Sequence, residues 1–561
     1  MTKRYLAILA VAALLGPAAC TVDDPGPEAS PAPGRACPRE LDAAFSAWAG
    51  AGFSGSIAVA TGDRFDCLAA YGSADDATAT PNTVETVFDI GSISKSFTAA
   101  AILHLADEGK LTLDDRAGAL LPELRGPVRE ATVRHLLLHT SGLNGTHGND
   151  STPLSEEAAL AAIGRLEVVA RPGTRYLYSN AGYTLLALIV DKVSGSPYRD
   201  YVVSHILPLP DGRLAGGFWH GRPAAPGPRA VGHLDGGGTG ARGDFAGPYW
   251  AVEGNGGLAM TTRDLASWIH ALFTGAVLSP GSTEAIATPG QPIGGGRGET
   301  PGWVAYDESR YGQPFLAAAG GGGEVGHNAV VVWLPRERRT IAIAANKPKV
   351  SAEGLLEAIG PALARGEPLP TPSGPAGRSD LAAAAGEYTL DSGGSFQVTV
   401  RDGGLAVTAA GADAVAALFP PPAGVAAGDL RGHEERVRAL LAGQTREGRA
   451  ERAAVESAFG PLSGVAVVGT IAAGGELRTY VAVTAGGQEV LGWYAVNEAG
   501  GVEAAEVPAG EPPTLRLLPS GDDRYHPDDP TGAGPAVTVA FAGGRMTVTG
   551  PGGSATAERA G

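Results

Sequence analysis

Between Gly366 and Gly377 the chain reads GEPLPTPSGPAG, four prolines and three glycines within twelve residues. Proline has no N–H to give a helix or a sheet ladder, and glycine loses the most entropy on being ordered, so this stretch ends any core that reaches it. It divides 561 residues into two lengths, each enough for its own core. The expected organisation is a first folded domain over 37–365, a linker over 366–380 and a second domain over 381–561. The segment 21–36 is rich in Pro, Asp, Glu, Ser and Ala and has nothing to pack, so it reads as a disordered tether.

The first twenty residues have the layout of an export signal. Lys3 and Arg4 precede an apolar run from Tyr5 to Leu15, and Gly16, Pro17, Ala18, Ala19 and Cys20 follow. The run is too short for a bilayer, which needs about 20 apolar residues. Small residues before a cysteine resemble a bacterial lipobox, in which Cys20 becomes the lipidated first residue, although Pro17 stands where such boxes usually carry Leu. The expected location is the outer face of the cell membrane as a lipoprotein, with cleavage and secretion as the alternative. The remaining cysteines, Cys37 and Cys67, fall in the exported part, where free thiols oxidise, so a disulfide between them is expected, with two unpaired thiols as the alternative. The net charge of −17 repels a phosphate backbone and argues against nucleic acid as a partner.

The first domain mixes strands and helices. Ser56–Ala60 and Arg64–Ala70 read as a hairpin around Thr61, Gly62 and Asp63, and Ala329–Leu334 and Thr340–Ala345 as Val- and Ile-rich strands. Ser94–Glu108 carries Phe97, Ala101, Ile102 and Leu105 on one helical face, and Ala181–Val193 and Arg263–Phe273 repeat the pattern. In the second domain, Phe396–Arg401 and Leu405–Thr408 alternate around a Gly turn, and Leu515–Leu518 and Val537–Thr549 resume the pattern. Between them, roughly 430–510 is expected to be an α+β insertion. It opens with a stretch of helical period over His433–Phe459, followed by strands at Val465–Ile471, Leu477–Thr484 and Glu489–Val496.

Three patterns suggest chemistry that their context denies. Gly109-Lys110 ends a helix and lacks the Ser or Thr of a phosphate loop. His135 and His139 have the spacing of zinc ligands on a helix, but Leu136 stands where a catalytic Glu would be, so packing is the expected role. Gly321, Gly323 and Gly326 satisfy GxGxxG formally, but a strand and not a helix follows.

A better-founded pattern is Asp89-Ile90-Gly91-Ser92-Ile93-Ser94-Lys95, which sets a Ser at the start of a helix with a Lys three residues on and on the same face. A hydroxyl becomes nucleophilic when a neighbouring base takes its proton, and a helix N-terminus offers backbone N–H groups to a developing oxyanion. Alone, the pair is a weak signal. It is followed in order by Arg134–Leu143 (RHLLLHTSGL), Pro172–Tyr183 (PGTRYLYSNAGY) and Gly256–Leu265 (GGLAMTTRDL).

Together these motifs, over roughly residues 45 to 350, resemble the serine β-lactamase and penicillin-binding-protein superfamily. The match is with its class C-like branch of D-alanyl-D-alanine carboxypeptidases, D-aminopeptidases and esterases. The resemblance implies an α+β fold, an antiparallel sheet flanked by helices with an all-α subdomain, followed here by a C-terminal β-barrel-like domain with its α+β insertion. That last part resembles appended lipocalin-like domains in strand texture and in Gly386-Glu387-Tyr388.

The resemblance further implies that Ser92 is the acylated nucleophile, Lys95 its base and Tyr178 the proton shuttle, with Asn180 holding Lys95 and the substrate carbonyl. The family's third motif begins with a cation on a strand. Anchored on Gly326, its positions here are Gly320, Gly321 and Gly322, with Gly323 next as the backbone N–H of the oxyanion hole. The cation is missing, so recognition of a substrate carboxylate is weakened while acyl transfer is not. The expected activity is that of an exported serine hydrolase acting on esters, amides or D-amino-acid peptides, with neither metal nor organic cofactor. D-alanyl-D-alanine carboxypeptidase or weak β-lactamase activity is the alternative within the class, and a non-catalytic cell-wall binding protein the alternative outside it.

Overall fold

The computed structural model describes residues 36–560 apart from 235–236, 244, 323–324, 373–379, 402, 423–424, 474–475, 510, 522 and 533. Cys20 and the export signal therefore lie outside the described residues, as do Gly323 and much of the linker.

The first part is built on an eight-stranded antiparallel sheet. Its spatial order is Gln291–Gly294, Arg297–Thr300, Trp303–Tyr306, Phe315–Gly322, His327–Leu334, Arg339–Ala345, Gly55–Thr61 and Arg64–Tyr71. The hairpin from the start of the chain thus completes a sheet made late in the sequence, with Ile57 opposite Ile343 and Val59 opposite Ile341. Period-two alternation sorts side chains to the two faces. Ile57, Val59, Val330, Val332, Ile341 and Ile343 pack with Phe45 and Trp48 of helix Arg39–Gly50 and with Leu355 and Ile359 of helix Ala352–Arg365. The other face presents smaller residues, Ala58, Ala342 and Ala344, which let the helices Ser94–Asp107 and Thr262–Phe273 approach with Phe97, Leu265 and Trp268. Phe97 and Trp268 stack at 3.6 Å between centroids.

Helices dominate the stretch between the hairpin and the late strands. Helix Asn180–Ser194 is buried along most of its length, starts where Ser179 Oγ accepts from Gly182 N at 3.1 Å, and ends on Gly195 in the left-handed region. Sulfur atoms of Cys37 and Cys67 are bonded, tying the N-terminal segment to strand Arg64–Tyr71.

In the C-terminal part, eight strands close a barrel: Gly386–Leu390, Ser395–Arg401, Gly404–Ala410, Thr514–Gly521, Arg524–Pro527, Thr538–Ala542, Arg545–Gly550 and Gly553–Arg559. Closure comes from the first and last strands, Tyr388 pairing with Arg559 and Leu390 with Ala557. Tyr388, Phe396, Val407, Leu517, Met546 and Val548 share its apolar cluster. A separate four-stranded sheet, Leu462–Ala473, Glu476–Ala485, Gln488–Val496 and Val502–Glu506, interrupts the barrel between Gly404–Ala410 and Thr514–Gly521.

The helical stretch over His433–Phe459 is two antiparallel helices, Ala427–Leu441 and Arg446–Phe459. The break has local causes: Gly443 adopts φ +70°, and Thr445 caps the second helix by accepting from Gly448 N at 2.9 Å. Folding back brings Val437, Leu440 and Val455 onto Val481, Val483 and Tyr494 of the sheet.

Candidate active site

The turn that carries Ser92 is fixed before the helix begins. Phe88 and Asp89 pair with Met260 and Ala259, and Ile90 N donates to Leu258 O at 3.0 Å. Asp89 Oδ1 accepts from Gly91 N at 2.7 Å, and Gly91, at φ +50°, opens the short 3-10 turn Gly91–Ile93 that runs into helix Ser94–Asp107. Burial pushes the Asp89 carboxyl up to about 7, against the lowering effect of the Gly91 amide. Ser94 Oγ accepts from Leu258 N at 3.1 Å and locks the first helical turn to the same strand.

Two side chains converge on Ser92 Oγ. Lys95 Nζ donates to it at 2.9 Å, and Tyr178 OH donates to it at 2.9 Å. Lys95 is 3% exposed, whereas Tyr178 is 38% exposed and stands at the open side of the site. The second anchor of Lys95 is the backbone carbonyl of Asn255, at 2.8 Å. That carbonyl is itself held: Asn255 Nδ2 donates to Thr184 Oγ1 at 2.8 Å and to Ala251 O at 3.0 Å, and Thr98 Oγ1 donates to Gly254 O at 2.7 Å. Asn180 is exposed at the first position of its helix, and Lys95 Nζ is bonded to Ser92 and Asn255 instead of to its amide. No letter code announces a backbone carbonyl, so Asn255 had no signal beyond its place beside the Gly256–Leu265 motif.

The wall behind Tyr178 is made by His139, which sequence reading left as a packing residue. The helix that bears His135 stops at Leu137, so the two histidines do not share a helix face. His135 closes a capping box with Thr132, while His139, at φ +53°, turns inward. Leu177 N donates to His139 O at 2.7 Å, Ser179 N donates to His139 Nδ1 at 3.0 Å, and the imidazole lies 4.4 Å from the Tyr178 ring and 5.0 Å from that of Tyr183. His139 thus holds both neighbours of Tyr178 by the backbone and the phenol ring by its face.

Glu299, on strand Arg297–Thr300, places Oε1 3.8 Å from His139 Nε2 with both side chains buried. Burial raises the Glu299 carboxyl to about 8, opposed by a hydrogen bond from Tyr176 and by the Lys95 charge. The same burial, reinforced by Lys95, holds His139 well below the ordinary histidine range. At neutral pH the pair is therefore an uncharged acid beside an uncharged imidazole, not an ion pair.

The glycine run approaches the Ser92 turn at Gly320 and Gly321, while Gly323 lies outside the described residues. A Cβ on Gly320 would overlap the amide nitrogen of Ser92 and the carbonyl oxygen of Ile90, and one on Gly91 would lie 2.6 Å from Gly321 N. The strand passes against the Ser92 turn at Gly320 and Gly321, and the backbone amide beside the turn is that of Gly321. Gly322 ends the strand opposite His327. The paired edge of this strand toward Trp303–Tyr306 covers only Phe315 to Ala317, which leaves the following residues unpaired with it on that side.

A family model described as Beta-lactamase matches residues 42–364. PbpX of Bacillus subtilis (strain 168), which carries a penicillin-binding-protein name, is 31% identical over 244 residues; the match covers 43% of this chain and 60% of that relative's length. Penicillin-binding protein 4* of the same strain is 26% identical over 396 residues, 64% of this chain and 84% of its own. Among solved structures, the octameric penicillin-binding protein homologue from Pyrococcus abyssi superposes with a TM-score of 0.54 at 19% identity, covering 92% of this chain and 99% of its own. SurE does so with a TM-score of 0.50 at 20% identity, covering 93% and 99%. At such identities the likeness is one of fold, and its coverage extends into the C-terminal part.

Proposed function

The chain belongs to the beta-lactamase family, and on that premise we propose that it is an exported serine hydrolase that forms an acyl-enzyme on Ser92 and cleaves esters or amides, D-amino-acid peptides among them. The observation that carries this reading is the convergence of Lys95 Nζ and Tyr178 OH on Ser92 Oγ, each at 2.9 Å. In the proposed first step Ser92 Oγ bonds to the substrate carbonyl carbon and its proton passes to Lys95, which enters the step as the uncharged amine. The backbone N–H of Ser92 and that of Gly321, which lies beside the Ser92 turn, are the proposed donors to the resulting oxyanion. Collapse breaks the bond to the leaving alcohol or amine, which takes a proton through Tyr178. Water then attacks the ester carbonyl, its proton moves back through the same pair, and Ser92 is released.

Strand Phe315–Gly322 reads FLAAAGGG and offers no Lys, Arg or His at any position, which supports a preference for substrates without a free carboxylate beside the scissile bond. Export is supported by the Cys37–Cys67 bond, a feature of oxidising compartments, and lipidation at Cys20 remains part of the proposal. The D-alanyl-D-alanine carboxypeptidase reading is favoured by the penicillin-binding-protein names of the relatives. The proposed division of labour gives catalysis to 37–365 and leaves the lipocalin-like part, 381–561, to support it.

Incubation with a fluorophosphonate or a fluorescent penicillin, followed by intact mass and peptide mapping, tests the reading. One adduct on Ser92, absent from Ser92→Ala, is expected. No adduct with either probe would assign the chain to the non-catalytic binders.

A further inference from the structure

Among its contacts with the first part of the chain, which include Arg446 Nη1 donating to Arg165 O at 2.5 Å, the insertion in the barrel meets two segments that lead to Tyr178. At the first, Asn497 Nδ2 donates to Asn144 Oδ1 at 2.9 Å. Gly501, on the far side of the same turn, approaches Asn144 so closely that a Cβ would overlap Oδ1. Gly145, at φ +97°, lies against the Glu447 carboxylate, where a Cβ would be 3.2 Å from Oε2. Glu447 also accepts from Val502 N at 3.2 Å, so helix Arg446–Phe459 and strand Val502–Glu506 present one surface to this segment.

At the second segment, Arg175 Nη2 donates to Glu498 Oε2 at 2.7 Å, and the Glu503 charge is felt at the Tyr176 phenol. The gripped residues are short of structure of their own. Leu143–Asn144 forms only a two-residue ladder with Glu167–Val168, and Arg175 to Ser179 is irregular chain. Asn144 follows His139 by five residues and Arg175 precedes Tyr178 by three. His139 is where the two segments join, through Leu177 N, Ser179 N and the face of the Tyr178 ring. A phenol that is 38% exposed has few neighbours to keep it on Ser92, so its position depends on that junction.

We propose that the insertion is a brace for the catalytic geometry, with Asn497 and Gly501 acting as positioning residues that set Tyr178 through Asn144 and His139. This rests on the serine-hydrolase reading above. It assigns the C-terminal part a role in turnover itself, beyond spacing or ligand carriage.

The test uses the full chain and a neutral p-nitrophenyl ester. Gly501 lies outside the left-handed region, so Gly501→Ala leaves the hairpin backbone unstrained and acts by displacing Asn144. It is expected to lower kcat by about 5-fold or more with KM changed less than about 2-fold, and Asn497→Ala, which removes one hydrogen bond, by about 3-fold. In a Tyr178→Phe background both substitutions are expected to have no further effect on kcat or on the rate of fluorophosphonate labelling, because the group they position is gone. Unchanged kcat in both variants, a change confined to KM, or the same fold-loss repeated in the Tyr178→Phe background would overturn the proposal. Should Gly501→Ala fail to fold, Asn497→Ala carries the same comparison. Full activity in Ser92→Ala would instead remove the hydrolase reading beneath it.

Discussion

Glu299→Gln offers a measurement whose sign follows from burial alone. Glu299 is 5% exposed, and its carboxyl titrates at about 8 in the folded chain against an ordinary 4.5. His139, 3.8 Å away, is itself held neutral by burial and supplies no compensating charge. Between those two values the folded chain keeps a proton that the unfolded chain has released, so stability falls as pH rises from about 4.5 and levels off above about 8. At 1.36 kcal/mol per pH unit, the cost at pH 7 is about 3 kcal/mol. Glutamine has no proton to lose and carries none of this slope, while any difference in its packing is the same at every pH. Unfolding by guanidinium of the wild type and Glu299→Gln, followed by tryptophan fluorescence at pH 5 and pH 8, is expected to show the variant gaining on the wild type by about 3 to 4 kcal/mol across that interval. Asp89 titrates in the same direction but is present in both proteins and cancels. Parallel stability curves between pH 5 and 8 would refute the reasoning, since they would require Glu299 to be ionised in the folded chain at neutral pH.

Four further outcomes are expected. Lys95→Ala and Tyr178→Phe should each lower kcat by about 10² or more, the scale of a lost general base or acid; an unchanged kcat removes that residue from the mechanism. Gly320→Ala places a methyl group on the Ser92 amide, so fluorophosphonate labelling should slow by at least about 10-fold in a protein with wild-type circular dichroism. Neutral esters should exceed isosteric carboxylate-bearing substrates in kcat/KM by about 10-fold, the worth of a missing charge-assisted hydrogen bond, and the opposite preference would put the carboxypeptidase reading first. Wild-type protein should partition with membranes into detergent and Cys20→Ser should not; wild-type protein released with an unmodified Cys20 would reject lipidation.

What was legible in the sequence were features whose cause is local. Ser92 and Lys95 share a helical face because three residues make nearly one turn, and their side chains meet at 2.9 Å for that reason. Hairpin and strand positions in the first part followed from period-two patterns, and the four expected strands there are each extended by a residue or two, since ladders continue past the apolar stretch. Features that depend on distant chain were not legible. Asn255 contributes a carbonyl, Glu299 arrives from a strand 204 residues beyond Lys95 (299 minus 95), and His139 owes its role to a helix that ends two residues before it.

The third motif shows why identical residues hide a register. A run of glycines from 320 to 323 presents no side chain that distinguishes one position from the next, so the alignment rests on a downstream landmark, Gly326. Steric contact locates the approach: a Cβ on Gly320 would overlap Ser92 N and Ile90 O, whereas one on Gly321 would overlap the neighbouring strand at His327 O and Asn328 Cα. Two consequences follow. A histidine at 320 would displace the nucleophile before it met any substrate carboxylate, so restoring a cation there cannot report on specificity. The absence of a cation, by contrast, does not depend on register, because the residue two before Gly320 is Ala318 and the whole strand Phe315–Gly322 is uncharged. A carboxylate bound in this cleft would have to find its partner on another element, and the proposed preference for neutral substrates therefore rests on the strand's composition and not on its register.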